Sequence, residues 1–264
     1  MTSKETTTMT LTLGATAATA AQPVGQTAPA TVDDAFNTLK TYDWGTDRTL
    51  LNLIDQAIIA THGDAAARTA LEKRLVGTLT GGISRSAQDY VCRKLRVIGT
   101  AQSVPALAAL LPVEETSHIA RYALERIPDE KAAAALRDAL PKVSTKLKPG
   151  IIGSLGKGRD TKSVQAIAKL LGDSDLPVAQ AAAQALALIG TSPAANQLRQ
   201  FAKKAPANMK IPVADARLAC AEHLLAAGQK SEAVALYKEL QGNDQPAQVR
   251  AAALKGLLAA TTKK

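Results

Sequence analysis

The chain has 264 residues and a net charge of +9, and 46% of its residues are hydrophobic but only 3% are aromatic. Its core must therefore consist mainly of Ala, Leu, Val and Ile, which favours helices because Ala and Leu have high helix propensity. The scarcity of aromatic rings disfavours a stacking platform for single-stranded nucleic acid, and no apolar run approaches the roughly 18 residues of a membrane span.

Residues 1–31 are rich in Thr and Ala and are predicted to form a disordered leader. They contain Ala18-Thr19-Ala20, a small-residue pattern found at signal-peptide cleavage sites, but Lys4 is their only basic residue and Thr interrupts the apolar stretch. A cytoplasmic location is favoured. Export to the periplasm follows instead if residues 1–20 are a degenerate signal peptide.

Residues 32–83 are predicted to form N-terminal capping helices. The first should begin near residues 33–34, where either Asp can cap it. A second helix is expected from about 47 to 61. Gly63-Asp64 then ends that helix and caps a third, whose apolar stripe is Ala67, Leu71, Leu75 and Leu79.

Trp44, the only tryptophan, lies before the second of these helices in the segment YDWGTD. We expect its ring to pack within the N-terminal cap and lock it. The alternative is an exposed ring that acts as a hot spot for binding.

Residues 84–264 contain a helical segment that returns about every 30 residues. Each copy joins a small-residue helix to a second helix through a turn with Gly or Pro. The turn precedes a core Leu by eight residues in four copies: Gly99–Leu107, Pro128–Leu136, Gly190–Leu198 and Gly228–Leu236. Such repetition is typical of a solenoid, in which stacked helix pairs bury one another's apolar faces. The sequence predicts an all-α superhelix of about six helix pairs.

Helix boundaries within this array follow from capping residues and turn glycines. Residues 204–212 (KAPANMKIP) are interpreted as an inserted loop, and residues 246–260 as an orphan helix that closes the C-terminal end. The predicted N-caps are Ser103, Asp129, Asp175 and Ser192.

The two cysteines, Cys92 and Cys220, occupy similar positions in different repeats. Repeats this far apart in a stack cannot bring two sulfurs within bonding distance. We therefore expect both to be free and to serve as small buried hydrophobic residues.

Several segments resemble the short bacterial HEAT-like repeats, which are related to the repeats once named after phycobilisome lyases. They are the helix endings RKLRVIGT and AQALALIGT and the second-helix pattern SVPALAALL. The resemblance covers residues 84–203 well and residues 213–260 loosely. The spacing of 29–38 residues is shorter than that of long HEAT and armadillo repeats. Residues 214–240 look more like a tetratricopeptide pair, and either assignment implies an α-solenoid.

The resemblance implies a noncatalytic scaffold that binds a protein partner along its concave face or edge. It carries over no catalytic residue, because the motif consists of packing and turn positions. Enzymes exist on this scaffold, among them chromophore lyases and alkylpurine DNA glycosylases. Two alternatives stay open: a solenoid that binds nucleic acid or phosphate, and a subunit of a chromophore-lyase-like enzyme.

The basic residues are concentrated in the predicted array. Residues 84–264 carry 26 Lys and Arg against 15 Asp and Glu, whereas residues 1–83 carry 6 against 8. This excess favours an acidic protein partner, with nucleic acid disfavoured; the alternative is that these residues only keep an Ala-rich surface soluble. The candidate partner-binding residues are outward positions of second helices: Arg137, Lys169, Arg199, Lys203 and Lys238.

The segment GIIGSLGKGRD (150–160) has a superficial likeness to a phosphate loop. It lacks the required residues, because Ile151 and Gly158 replace the Gly and the Ser or Thr of that motif. An anion could still bind near the next helix start through Lys157, Arg159 and Lys162. The alternative is an ordinary solvated turn.

No residue pattern points to a metal, a cofactor or catalysis. His62, His118 and His223 fall in different helix pairs and lack metal-ligand spacing. A GxSxG turn is absent, and neither cysteine has a visible base partner. We therefore predict no catalytic residue, no metal site and no cofactor.

Overall fold

The computed structural model describes residues 29–262, so the predictions of a leader and a signal peptide fall almost entirely outside the described residues. Within residues 29–262 the chain forms fourteen α-helices and four short 3-10 turns, and no β-strand. The helices are α1 (Val32–Thr41), α2 (Asn52–Ala60), α3 (Ala65–Leu79), α4 (Arg85–Ile98), α5 (Val104–Ala109), α6 (Glu114–Leu124), α7 (Glu130–Ala139), α8 (Lys148–Lys157), α9 (Val164–Lys169), α10 (Leu176–Ile189), α11 (Ser192–Ala202), α12 (Ala207–Ala226), α13 (Lys230–Glu239) and α14 (Ala247–Thr262).

From α4 onward the helices alternate between two layers. The even-numbered helices are the first helices of each pair, and α4 packs on α6, α8 on α10, and α10 on α12. The odd-numbered helices are the second helices, and α5 packs on α7 and α9 on α11. With α2 and α3 counted as a pair, six helix pairs lie between α1 and α14. This arrangement confirms the predicted all-α solenoid.

The constant distance from turn to core residue places one large apolar side chain of each second helix in the core, a Leu in five of these helices and Ile167 in α9. Five leucines that follow their turn by eight residues are all buried, at 8% exposure or less: Leu71, Leu107, Leu136, Leu198 and Leu236. Because each pair buries a Leu or Ile at this position, one hydrophobic cluster extends from Ala35 on α1 to Ala253 on α14. The stack is therefore held by many small apolar contacts between repeats.

Capping residues begin most helices where the sequence indicates. Asp64, Asp129 and Asp175 are N-caps whose carboxylates accept backbone N–H bonds in the first turn. Two predicted starts are wrong by one or more residues. The N-cap of α11 is Thr191, one residue before Ser192. The N-cap of α1 is Thr31, because its hydroxyl and the Asp34 carboxylate form a capping box that fixes the start earlier.

The prediction of an inserted loop at residues 204–212 is wrong, because α12 begins at Ala207 and contains Pro212. Pro212 removes only the backbone hydrogen bond that its missing N–H would have made to the preceding turn. Met209 and Val213 lie four residues apart on one face and are both buried, at 2% and 1% exposure. Their packing stabilises the helix across the proline.

Trp44 is 67% exposed, so the expectation that its ring locks the N-terminal cap is also wrong. The turn before α2 is held by polar contacts instead. The Trp44 backbone N–H donates to Asp43 Oδ1 at 2.8 Å and to Ser86 Oγ at 3.2 Å. These bonds fix the backbone and leave the indole ring in solvent.

Candidate binding surface

The five candidate partner-binding residues lie on successive second helices and separate into two groups. Arg137 on α7 and Arg199 on α11 are partly buried and paired with carboxylates. The other three, Lys169, Lys203 and Lys238, are exposed. Within residues 29–262, none of these three ammonium groups has a carboxylate within 4.0 Å.

Arg137 joins two repeats. Its guanidinium donates 2.6 Å to Asp160, in the turn of the next pair, and also to Glu130 at the start of its own helix. Burial alone would lower the pKa of Arg137, but the hydrogen bonds to Glu130 and Asp160 outweigh it and raise that pKa. The charge of Arg137 is therefore paired with carboxylates of its own and the next helix pair.

Arg199 has a similar structural role further along the chain. Its Nε lies 2.8 Å from the Glu239 carboxylate, and the buried Arg217 on α12 reaches the same carboxylate at 2.6 Å. The Glu239 carboxylate on α13 thus pairs with two guanidinium groups, one from the preceding helix pair and one from its own. Both arginines connect helices, so neither is a free side chain.

The three exposed lysines occupy matching places at the ends of their helices. Lys169 is the last residue of α9, Lys203 is the C-cap of α11, and Lys238 is the penultimate residue of α13. Lysines at a helix C-terminus also interact favourably with the helix dipole. We name this set the lysine row; it presents three positive charges from three consecutive second helices.

Two of the three candidate anion-binding residues, Lys157 and Lys162, are paired with carboxylates. Lys157 Nζ is 2.7 Å from Glu125, and Lys162 Nζ is 2.7 Å from Glu130. Lys162 first, and Arg137 next, lower the pKa of Glu130 by hydrogen bonding. Arg159 lies in the turn with a positive φ of 51°. Two of the three charges are engaged between repeats, and anion binding here stays a prediction.

Polar contacts that link one repeat to the next are the feature that sequence reasoning missed. Glu72 on α3 accepts the backbone N–H of Thr100 at 2.7 Å and the hydroxyl of Ser103 at 2.6 Å, across 28 and 31 residues. Arg121 donates a hydrogen bond to Ser154, 33 residues later in the sequence, and Lys157 donates one to Glu125, 32 residues earlier. These separations are all close to the repeat length of about 30 residues, so pairing residues about one repeat apart would have found them.

The two cysteines form no disulfide with each other. Cys92 and Cys220 are free and buried, as expected, and burial raises the pKa of each thiol to about 12. In the part of the chain that the structure describes, no group of three His, Cys, Asp or Glu side chains is arranged to hold a metal ion. Over the same residues, no helix is both long and apolar enough to cross a bilayer.

Residues 144–216, which run from the turn before α8 into α12, match the family of HEAT repeats. Two solved structures resemble the chain at low identity. The complex of CpcE and CpcF of phycocyanin lyase from Nostoc sp. PCC7120 is 18% identical, with a TM-score of 0.42 over 91% of this chain and 98% of that one. An engineered protein is 20% identical, with a TM-score of 0.42 over 88% of this chain and 69% of its own. Comparison with curated proteins finds no match.

The class of the protein follows from the HEAT match together with the alternating helix layers. The helix pairs on either side of residues 144–216 continue the same two layers. The chain is an all-α solenoid of stacked helix pairs, and residues 144–216 of it match HEAT repeats.

Proposed function

We propose that this protein is a noncatalytic scaffold that binds an acidic protein partner along the face formed by its second helices. The observation that supports this proposal is the lysine row. Lys169, Lys203 and Lys238 are exposed and have no ion-pair partner among residues 29–262, whereas Arg137 and Arg199 are held in ion pairs. Charges that the fold does not use remain available to a partner.

A row of like charges on consecutive helices suits an extended acidic segment. Complementary charge speeds encounter and fixes the register of a partner, even where each exposed pair adds little affinity. Residues 32–83 are proposed to cap the array at residues 84–264 and to shield its first apolar face. The binding face would then be the side chains of α7, α9, α11 and α13.

Affinity capture with the full chain as bait tests the proposal. Extracts of the source cells are passed over the wild type, over K169Q/K203Q/K238Q, and over the matched control K73Q/K142Q/K255Q. The control removes the same charge from α3, from the loop after α7 and from α14. We expect one or more acidic proteins that the wild type and the control retain and the lysine-row variant loses.

Three outcomes contradict the proposal. Retention of the same proteins by all three baits would show that the lysine row does not bind them. Steep salt-dependent retention of DNA or RNA in preference to protein would favour the nucleic-acid alternative. Co-purification of a pigment or chromoprotein with turnover of a bound chromophore would favour a lyase subunit.

A further inference from the structure

A small pocket lies beside one member of the lysine row. It has a volume of ≈ 290 Å³ and is bounded by the end of α11, the side of α12 and the loop before α14. Lys203, Lys210 and Arg217 line it together with Asp244 and Gln245 from the loop before α14. This volume lies at the lower limit of ligand pockets, about 300–1,000 Å³, which suits a side chain or a small anion.

The charges around the pocket are unbalanced. Lys203 and Lys210 are exposed, and among the described residues neither has a carboxylate within 4.0 Å. Arg217 is only 6% exposed, so its charge acts where water screens it poorly. Its ion-pair partner Glu239 is shared with Arg199, so that one carboxylate faces two guanidinium groups.

Arg217 also has an unused donor. Its Nη2 donates to Glu239 at 2.6 Å, but its Nε is buried without a hydrogen-bond partner. Among the described residues that line the pocket, Asp244 alone carries a carboxylate, and one of its oxygens already accepts a hydrogen bond from the Gln245 amide at 2.7 Å. The pocket and its ion pairs thus combine four cations with two carboxylates.

From this imbalance we infer that the pocket receives a carboxylate side chain from an acidic peptide segment. This inference rests on the proposed scaffold function and specifies where the partner is anchored. A carboxylate at the pocket would lie between two flexible ammonium groups, above a fixed guanidinium. Lys169 and Lys238 would then contact the flanking residues of the same segment.

Titration with labelled hexaglutamate tests the inference, with hexaglutamine and inorganic phosphate as the other probes. Lys210→Gln and Asp244→Asn are specific to the pocket, and Asp215→Asn is the control for Asp244→Asn because Asp215 is exposed on α12 outside the pocket lining. At low ionic strength we expect K210Q to weaken hexaglutamate binding roughly two- to fivefold and D244N to tighten it by a similar factor. D215N should change it less than about twofold.

Several results would overturn the inference. They are the absence of hexaglutamate binding, equal binding of hexaglutamine, and an affinity unchanged by both K210Q and D244N. Displacement of hexaglutamate by phosphate at far lower concentration would assign the pocket to a free anion and also overturn it.

The double variant K169Q/K238Q, which keeps Lys203 at the pocket, separates this inference from the scaffold proposal. A captured partner whose affinity falls in K169Q/K238Q but not in K210Q leaves the scaffold proposal intact and overturns the pocket. If the chain captures no protein, the scaffold proposal fails, and the hexaglutamate titration still decides whether the pocket binds a carboxylate.

Discussion

At the scale of single residues, Glu72 is the buried carboxylate that joins the N-terminal helices to the array. It is only 1% exposed, and its oxygens accept bonds from Thr100 and Ser103 at the turn between α4 and α5. In the sequence it precedes Lys73 and Arg74 and therefore looks like one member of a solvated charged face. Only the packing of α3 on α4 shows that it faces inward.

Removing the Glu72 carboxylate should destabilise the fold more than neutralising it. Glu72→Ala leaves the Ser103 hydroxyl and the Thr100 N–H without their acceptor, at a cost of about 2–3 kcal/mol, whereas Glu72→Gln keeps an acceptor oxygen and should cost about 1 kcal/mol. Urea unfolding of both variants measures the difference. Equal free energies of unfolding for Glu72→Ala and Glu72→Gln would contradict the larger cost predicted for removing the side-chain acceptor.

The buried thiols should make stability fall at alkaline pH. The ordinary thiol pKa is 9.0, and burial raises it to about 12 for Cys92 and Cys220 in the fold. Between these values the unfolded chain loses the thiol protons and the folded chain keeps them. The contribution to stability is therefore complete below pH 9 and is lost as the pH rises from about 9 to about 12.

Unfolding curves of the wild type and C92A/C220A across that pH range isolate the thiols from other titrating groups. The wild type should lose more stability than the variant between pH 9 and about 11. Parallel losses in the two proteins would contradict the prediction. A thiol reagent should also label both cysteines after unfolding and neither in the native state.

At the scale of elements, α8 and α10 approach closely because α8 carries a glycine at their contact. A Cβ built on Gly156 would lie 2.7 Å from Ala185 Cα, whereas one on Gly153 in the same helix would meet nothing within 4 Å. Both residues are within α8, so they have the same intrinsic cost in a helix.

Substituting these two glycines should have opposite effects. Gly156→Ala forces the two backbones apart and should destabilise the protein by about 1–3 kcal/mol. Gly153→Ala should stabilise it by roughly 0.5–1 kcal/mol, since Ala has the higher helix propensity. Chemical denaturation of both variants measures these effects, and destabilisation by G153A or none by G156A would contradict the close packing.

Helix α12 shows where local signals mislead. Residues 204–212, with Pro206 and Pro212, suggest a loop. Instead, α12 begins directly after Pro206, because Met209 and Val213 are buried in the core. The helix packs against α10 and α14. Burial of an apolar face outweighs the loss of one backbone hydrogen bond, and that balance depends on neighbours far away in the sequence.

At the scale of the whole molecule, the repeating architecture was predictable and the use of its charges was not. The eight-residue spacing to leucines such as Leu107 and Leu198 depends only on the order of residues along the chain, and it predicts the stack. Arg137 and Lys169 look alike in the sequence, near the ends of second helices. The carboxylates of Glu130, in the same helix, and of Asp160, in the next turn, pair with Arg137, whereas no described carboxylate lies within 4.0 Å of the Lys169 ammonium group.

The division of the chain at residues 83 and 84 stays a prediction. Residues from Thr31 onward form one compact unit, and the hydrophobic cluster begins on α1. The capping helices therefore share a core with the array. Polar contacts such as that of Glu72 with Ser103 continue the connection between repeats into this region.

Hydrogen exchange of the full chain, alone and with a captured acidic protein, tests most directly whether the second helices bind the partner. Binding should slow exchange in peptides that cover the ends of α9, α11 and α13, where Lys169, Lys203 and Lys238 lie. Slowed exchange confined to the first helices, or to the turn that carries the exposed Trp44, would contradict the proposed binding face.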